Sequence, residues 1–148
     1  MDKIFFEYEI SDETGIESVW ATKIKEDIYR IENIPFYVRE FAYGDLVKAY
    51  LKNDSLHVEG LFEESGNSTI RILVNEEDLD LKDEITEDLI RLGCGWEGSN
   101  MKRLISVNIP RAIDYSEVES FLITGEELLE TFEYEEGCVS SKHKNDLA

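Results

Sequence analysis

The stretch "LKDEITEDLIRLGCGWEGSN", Leu81–Asn100, decides how the second half of this chain is read. Inside it, Gly93-Cys94-Gly95-Trp96-Glu97-Gly98 spells G-x-G-x-x-G, the written form of a dinucleotide-binding loop. Such a loop works where a strand ends and a helix begins, because the helix N-terminus points free amides at the pyrophosphate. Here the order is reversed. Leu81, Ile85, Leu89 and Leu92 form the apolar stripe of a helix, and the stripe stops at Gly93. The glycines therefore follow a helix C-terminus, whose dipole repels phosphate. Gly93 is read as a left-handed helix stop, and Gly95 and Gly98 as turn residues returning the chain to the next strand.

Working outward, "STIRILV" (68–74) is a strand with Ile70, Ile72 and Val74 on one side, and "LISVNIP" (104–110) is another, stopped by Pro110. "DYSEVESFLITG" reads as a second helix, with Asp114 as N-cap, Glu117 completing a capping box and Gly125 past the end. "ETFEYEE" alternates Phe132 and Tyr134 with glutamates, a last strand. The order β-α-β-α-β is most of a ferredoxin-like unit. The tail from 139 has no periodicity and is expected to be flexible.

The first half has strand rhythm. Ile4, Phe6, Tyr8 and Ile10 alternate with polar or outward residues; "SDETG" is a turn; Val19 and Ala21 oppose Trp20, Thr22 and Ile24. Asp27 marks a corner, Pro35 makes Phe36–Tyr43 a crossing or edge segment, and "DLVKAYL", "KNDS" and "LHVEGLF" form a hairpin. The expected fold is α+β. An N-terminal curved antiparallel β-sheet or partial barrel (1–66) is followed by a ferredoxin-like βαβαβ portion (67–138), packed together as lobes or as one composite domain, with 139–148 a flexible tail.

Charge is the outstanding compositional feature: 34 acids against 15 Lys plus Arg, net −19 over 148 residues. Residues 1–60 hold 13 acids and 7 bases, whereas 61–148 hold 21 and 8. Direct binding to nucleic acid or an anionic membrane is disfavoured, because phosphate affinity depends on Lys and Arg displacing counterions. The N-terminus has no signal-peptide pattern, no apolar run approaches a membrane span, and two cysteines are too few for a disulfide scaffold. A cytoplasmic location with reduced thiols is expected, which makes the sequon at Asn67–Thr69 incidental.

Cys94 has no sequence-adjacent base; His57 lies on a strand facing out and His143 in the polar tail, so no catalytic constellation is expected. The histidines and cysteines lack zinc spacing, and a calcium loop opened at Asp78 would place Lys82 and Asp83 where an oxygen ligand and a glycine belong. No cofactor or metal is expected. Glu76, Glu77, Asp78, Asp80, Asp83, Glu84, Glu87 and Asp88 accompany Lys82 alone, and Glu126, Glu127, Glu130, Glu133, Glu135 and Glu136 form a second set. Helix capping accounts for part of the first run. The surplus is either a solvated face or a docking surface for a basic protein, with Trp96, Tyr115 and Tyr134 as candidate anchors.

The segments "NIPFYVREFAYGDLV", "ESGNSTIRI", "LGCGWEGSN" and "LISVNIP" resemble a family of small uncharacterised bacterial proteins known as a domain of unknown function. The resemblance covers about residues 16–138. It rests on Ile-Pro-Phe followed by Gly-Asp, a Ser-Gly-x-Ser-Thr turn and a Leu-Gly-Cys-x-Trp-Glu-Gly stretch. It implies a bacterial source and one composite fold, and it carries over no catalytic residue. By analogy of size and charge, the chain also looks like an immunity or antitoxin-like protein covering a basic toxin or effector domain. The alternative is a small-ligand or regulatory domain using a cleft between the lobes.

Overall fold

The structure, a computed structural model, describes residues 1–148. Five strands build the first half: β1 (Asp2–Ile10), β2 (Glu13–Lys25), β3 (Ile28–Ile31), β4 (Leu46–Lys52) and β5 (Ser55–Glu63). They form an antiparallel meander that closes into a barrel through β1 and β5. An odd number of meander strands sends the first and last the same way. The closing pair is therefore parallel, and it is short: Ile4 faces Leu56 and Phe5 faces His57. Alternation sends Ile4, Phe6, Val19, Ala21, Tyr29, Ile31, Val47 and Ala49 inward as one core.

The β1–β2 turn is tighter than "SDETG" suggested. Ser11 and Asp12 alone make it, both at positive φ (48° and 66°), the conformation whose twist matches antiparallel strands. Gly15 falls inside β2 opposite Tyr8, whose ring occupies the space a Cβ would need.

The second half runs β6 (Ser68–Val74), a 3₁₀ segment (Glu76–Leu81), α1 (Lys82–Arg91), β7 (Gly95–Gly98), β8 (Leu104–Ile109), α2 (Tyr115–Ile123), a π-turn (Thr124–Leu128) and β9 (Phe132–Cys138). The antiparallel sheet has the order β7-β8-β6-β9. This completes the β-α-β-β-α-β pattern of which the sequence showed only part. The missing strand is β7, four residues with glycine at both ends. Gly93 does stop α1, at φ +97°, but Gly95 and Gly98 lie within an edge strand instead of a turn. Both helices cover one face of the sheet, where Ile70, Ile72, Val107 and Ile109 meet Ile85, Leu89, Val118 and Leu122. No helix is long and apolar enough to cross a membrane.

Two helix ends differ from expectation. Asp114 caps α2, but Ser116, not Glu117, closes the cap, donating N–H and Oγ–H to Asp114 Oδ1 at 3.0 and 2.8 Å. Gly125 does not end the helical run; the chain continues through the π-turn, and glycine is needed there because the Phe132 ring packs where a side chain would stand.

The last ten residues correct a further expectation. Ser140 accepts from the His143 N–H at 3.2 Å and opens α3 (Ser141–Asp146), with His143 fully buried. A carbonyl can only accept, so His143 Nε2 donates to Pro110 O at 3.0 Å, and Nδ1 accepts the Ser68 hydroxyl proton at 2.5 Å. Ser68 Oγ accepts in turn from Ser140 N–H at 2.9 Å. The tail is pinned to the sheet by a satisfied polar chain, not by an apolar stripe.

Burial lowers the His143 pKa. The folded state therefore binds this proton less readily than the unfolded chain, so the contribution to stability is full above about pH 6.5 and declines as pH falls. The unfolding free energy should fall with acidification with a slope up to about 1.4 kcal/mol per pH unit steeper than in His143→Gln. Equal slopes in the two proteins would mean that His143 is not buried neutral.

The barrel core and the sheet core are separate clusters. Between them runs the segment 32–45, gripped by its backbone. Glu17 accepts from the N–H groups of Phe36, Tyr37 and Val38 at 2.6, 3.0 and 2.9 Å. Glu97 accepts from Ile34 N and Asn33 Nδ2, and Ser106 Oγ donates to Ile34 O. Buried Arg71 donates to Phe36 O and Val38 O and pairs with Glu135. Buried Asp45 accepts from Ala42 N and Ser65 N.

Candidate protein-docking surface

Because β6 and β9 are antiparallel with Val74 opposite Phe132, the chain leaves β6 and enters β9 at the same end of the sheet. The two acidic runs therefore meet there. Asn75 stitches them together: its N–H donates to Thr131 O at 3.0 Å and its Nδ2 to Glu130 O at 2.6 Å. Glu76, Glu77, Asp80, Asp83, Glu84 and Glu87 are exposed, and Asp78 and Asp88 partly so. Arg91 pairs with Glu87 and Asp88. Lys82, the one cation inside the run, lies with its ammonium 5.8 Å from the Trp96 ring centre. The remaining six carboxylates of the run form no ion pair within 4 Å among the salt bridges of the protein.

The π-turn supplies what the sequence reading missed. Leu129 N–H reaches back to Thr124 O at 2.9 Å, Thr131 N–H reaches Gly125 O at 3.0 Å, and Glu130 takes a positive φ of 54°. Phe132 fills the space beneath Gly125, so Leu128 and Leu129 are turned outward, 77% and 65% exposed. Glu126 and Glu127 precede them and Glu130 follows. Apolar side chains ringed by charge have the layout of a protein interface, a desolvated centre with a polar rim. The sequence does not single out this pair: "ELLE" follows the Gly125 expected to end the helix, and the π-turn is what faces both leucines to solvent.

The three aromatic candidates fare differently. Trp96, on β7, is half-buried against the sheet core and stands beside the first turn of α1. Tyr115 is fully buried and cannot anchor a partner; its hydroxyl donates to Glu136. Burial first, then Glu136, pushes its pKa up. Tyr134 is half-buried; burial and then Glu126, Glu119, Glu136 and Glu127 raise its pKa, a local report of the negative potential.

Elsewhere, Cys94 belongs to the sheet core and burial pushes its thiol up to about 11, so it is protonated at neutral pH. Cys138 is pushed to about 12 by burial and then by Asp45 and Glu64. No three or more His, Cys, Asp or Glu side chains converge in a metal-holding group. The space expected to form a cleft between the halves is occupied by residues 32–45. A cavity of about 270 Å³ remains beside it, lined in part by Glu17, Trp20, Asn33 and Glu97.

A family model described as "Domain of unknown function (DUF4265)" matches residues 17–131. The chain belongs to this family. Among solved structures, this DUF4265 chain is similar to a hypothetical protein from Neisseria gonorrhoeae, with a TM-score of 0.78 and 22% identity over 94% of this chain and 95% of that one. At that identity the likeness establishes the shared fold. Comparison with curated proteins gave no match.

Proposed function

We propose that the protein is a non-enzymatic binding protein of the immunity or antitoxin type, whose acidic surface covers a basic domain of a toxin or effector partner. The observation that carries this reading is the junction of the two acidic runs around Leu128 and Leu129. Charge of one sign steers a basic partner inward, and exposed leucines supply the apolar contact that slows its departure. Trp96 lies at the border of this surface, beside Lys82.

The test uses the product of the adjacent gene. The two purified proteins should form a stoichiometric complex that weakens as salt is raised. Leu128→Ala with Leu129→Ala should raise the dissociation rate by roughly tenfold or more with little change in melting temperature, since both side chains are exposed. A complex indifferent to salt and to both leucines would place the interface elsewhere.

The small-ligand reading has one location in its favour, the cavity beside Glu17 and Asn33. Its volume of about 270 Å³ falls near the lower end of ligand pockets, roughly 300 Å³. Glu17 and Glu97 in its lining already accept from residues 33–38, and Lys3 lines it as well, so only a compact metabolite would suit it.

A further inference from the structure

The barrel closes through Ile4–Leu56 and Phe5–His57 alone, although β1 continues to Ile10 and β5 to Glu63. Past Phe5 and His57 the two parallel strands part, leaving an edge of each without a ladder partner. Which groups are free follows from the hairpin. Ile10 and Glu13 flank the two-residue turn and exchange hydrogen bonds. Bonded pairs then alternate along the ladder, so Tyr8 and Phe6 also bond to β2, while Glu7 and Glu9 turn N–H and C=O toward the opening.

A cavity of about 210 Å³ lies in this wedge, with Phe5, Phe6, Phe41 and Val58 along it and Glu7 and Glu59 among its lining residues. Ile10 and Leu61, farther along the two strands, are 53% and 48% exposed.

We infer that the free edge of β1 is a docking site for an extended basic peptide segment of another protein, which adds to it as a further strand. Backbone groups of Glu7 and Glu9 provide the ladder, and the aromatic wedge accepts alternate apolar side chains. The carboxylates select the occupant. Glu7 and Glu9 repel a second copy of a chain carrying −19, the usual protection of an open edge, and attract a strand bearing Lys or Arg. This site is on the barrel and stands apart from the acidic junction of the other half.

The probe is a short synthetic peptide alternating lysine with valine, compared with its glutamate counterpart. The lysine peptide should bind and slow hydrogen exchange at the Glu7 and Glu9 amides, and the glutamate peptide should bind about tenfold or more weakly. Glu9→Pro removes an outward N–H at an edge, where proline is tolerated, and should abolish the protection of Glu7 with the fold intact. Should that variant unfold, Glu7→Lys with Glu9→Lys keeps the backbone and should reverse the peptide preference. Equal binding of both peptides, equal binding to Glu9→Pro, or failure of the lysine peptide to protect Glu7 and Glu9 would overturn the proposal. Protection of those amides without peptide, rising with protein concentration, would assign the edge to self-pairing and overturn it equally.

Discussion

Arg71→Ala is expected to lower the stability of the protein by about 3 kcal/mol, because it leaves two buried carbonyls without donors. Those carbonyls are Phe36 O and Val38 O, in the segment that joins barrel to sheet. Arg71 is 5% exposed, and burial lowers its pKa while Glu135 opposes the shift. Glu17 holds the N–H groups of Phe36, Tyr37 and Val38 from the barrel side. The segment is thus clamped by a carboxylate from one half and a guanidinium from the other. The sheet holds this segment through polar contacts, whereas Val38 packs in the barrel core, so losing Arg71 should also raise hydrogen exchange at the Phe36–Val38 amides before the barrel itself opens. Arg71→Met keeps most of the hydrocarbon stem and separates packing from hydrogen bonding. If it matches the wild type in denaturant midpoint, the carbonyls do not depend on Arg71.

That clamp also shows where sequence reading reaches its limit. Strands such as Ile4–Ile10 and Ser68–Val74 announce themselves by alternation, although the second is buried on both faces, and the Leu81–Leu92 stripe gives a helix together with its glycine stop. Closure of the barrel is not local: it depends on strand number and on two pairs between residues 52 positions apart, Ile4–Leu56 and Phe5–His57. β7 escapes notice because two of its four residues are glycine and its order comes from β8. α3 escapes because a buried histidine bonded to Ser68 and Pro110 leaves no apolar periodicity. At the candidate site the acidic runs were legible as composition. Their junction required the β6–β9 pairing, and the outward leucines required the π-turn.

Reversing Glu76, Glu77, Asp80 and Glu84 to lysine is expected to slow association with the basic partner by about 10- to 1,000-fold, with a much smaller change in dissociation. All four are exposed, and none is in an ion pair, so their present effect on folding is mutual repulsion offset by the helix dipole. Fields from exposed carboxylates decay over about 8 Å at physiological salt. The wild-type association rate should therefore fall steeply with ionic strength, while the variant's should be nearly flat. Net charge alone predicts something different. Reversing Asp2, Glu13, Glu26 and Glu63 on the barrel changes the total equally, so a global effect would slow both variants alike. A local docking surface slows only the first, because the partner's approach is governed by charge within a Debye length of the contact. The ratio of the two association rates, measured at low and at physiological salt, separates a docking face from a merely solvated one.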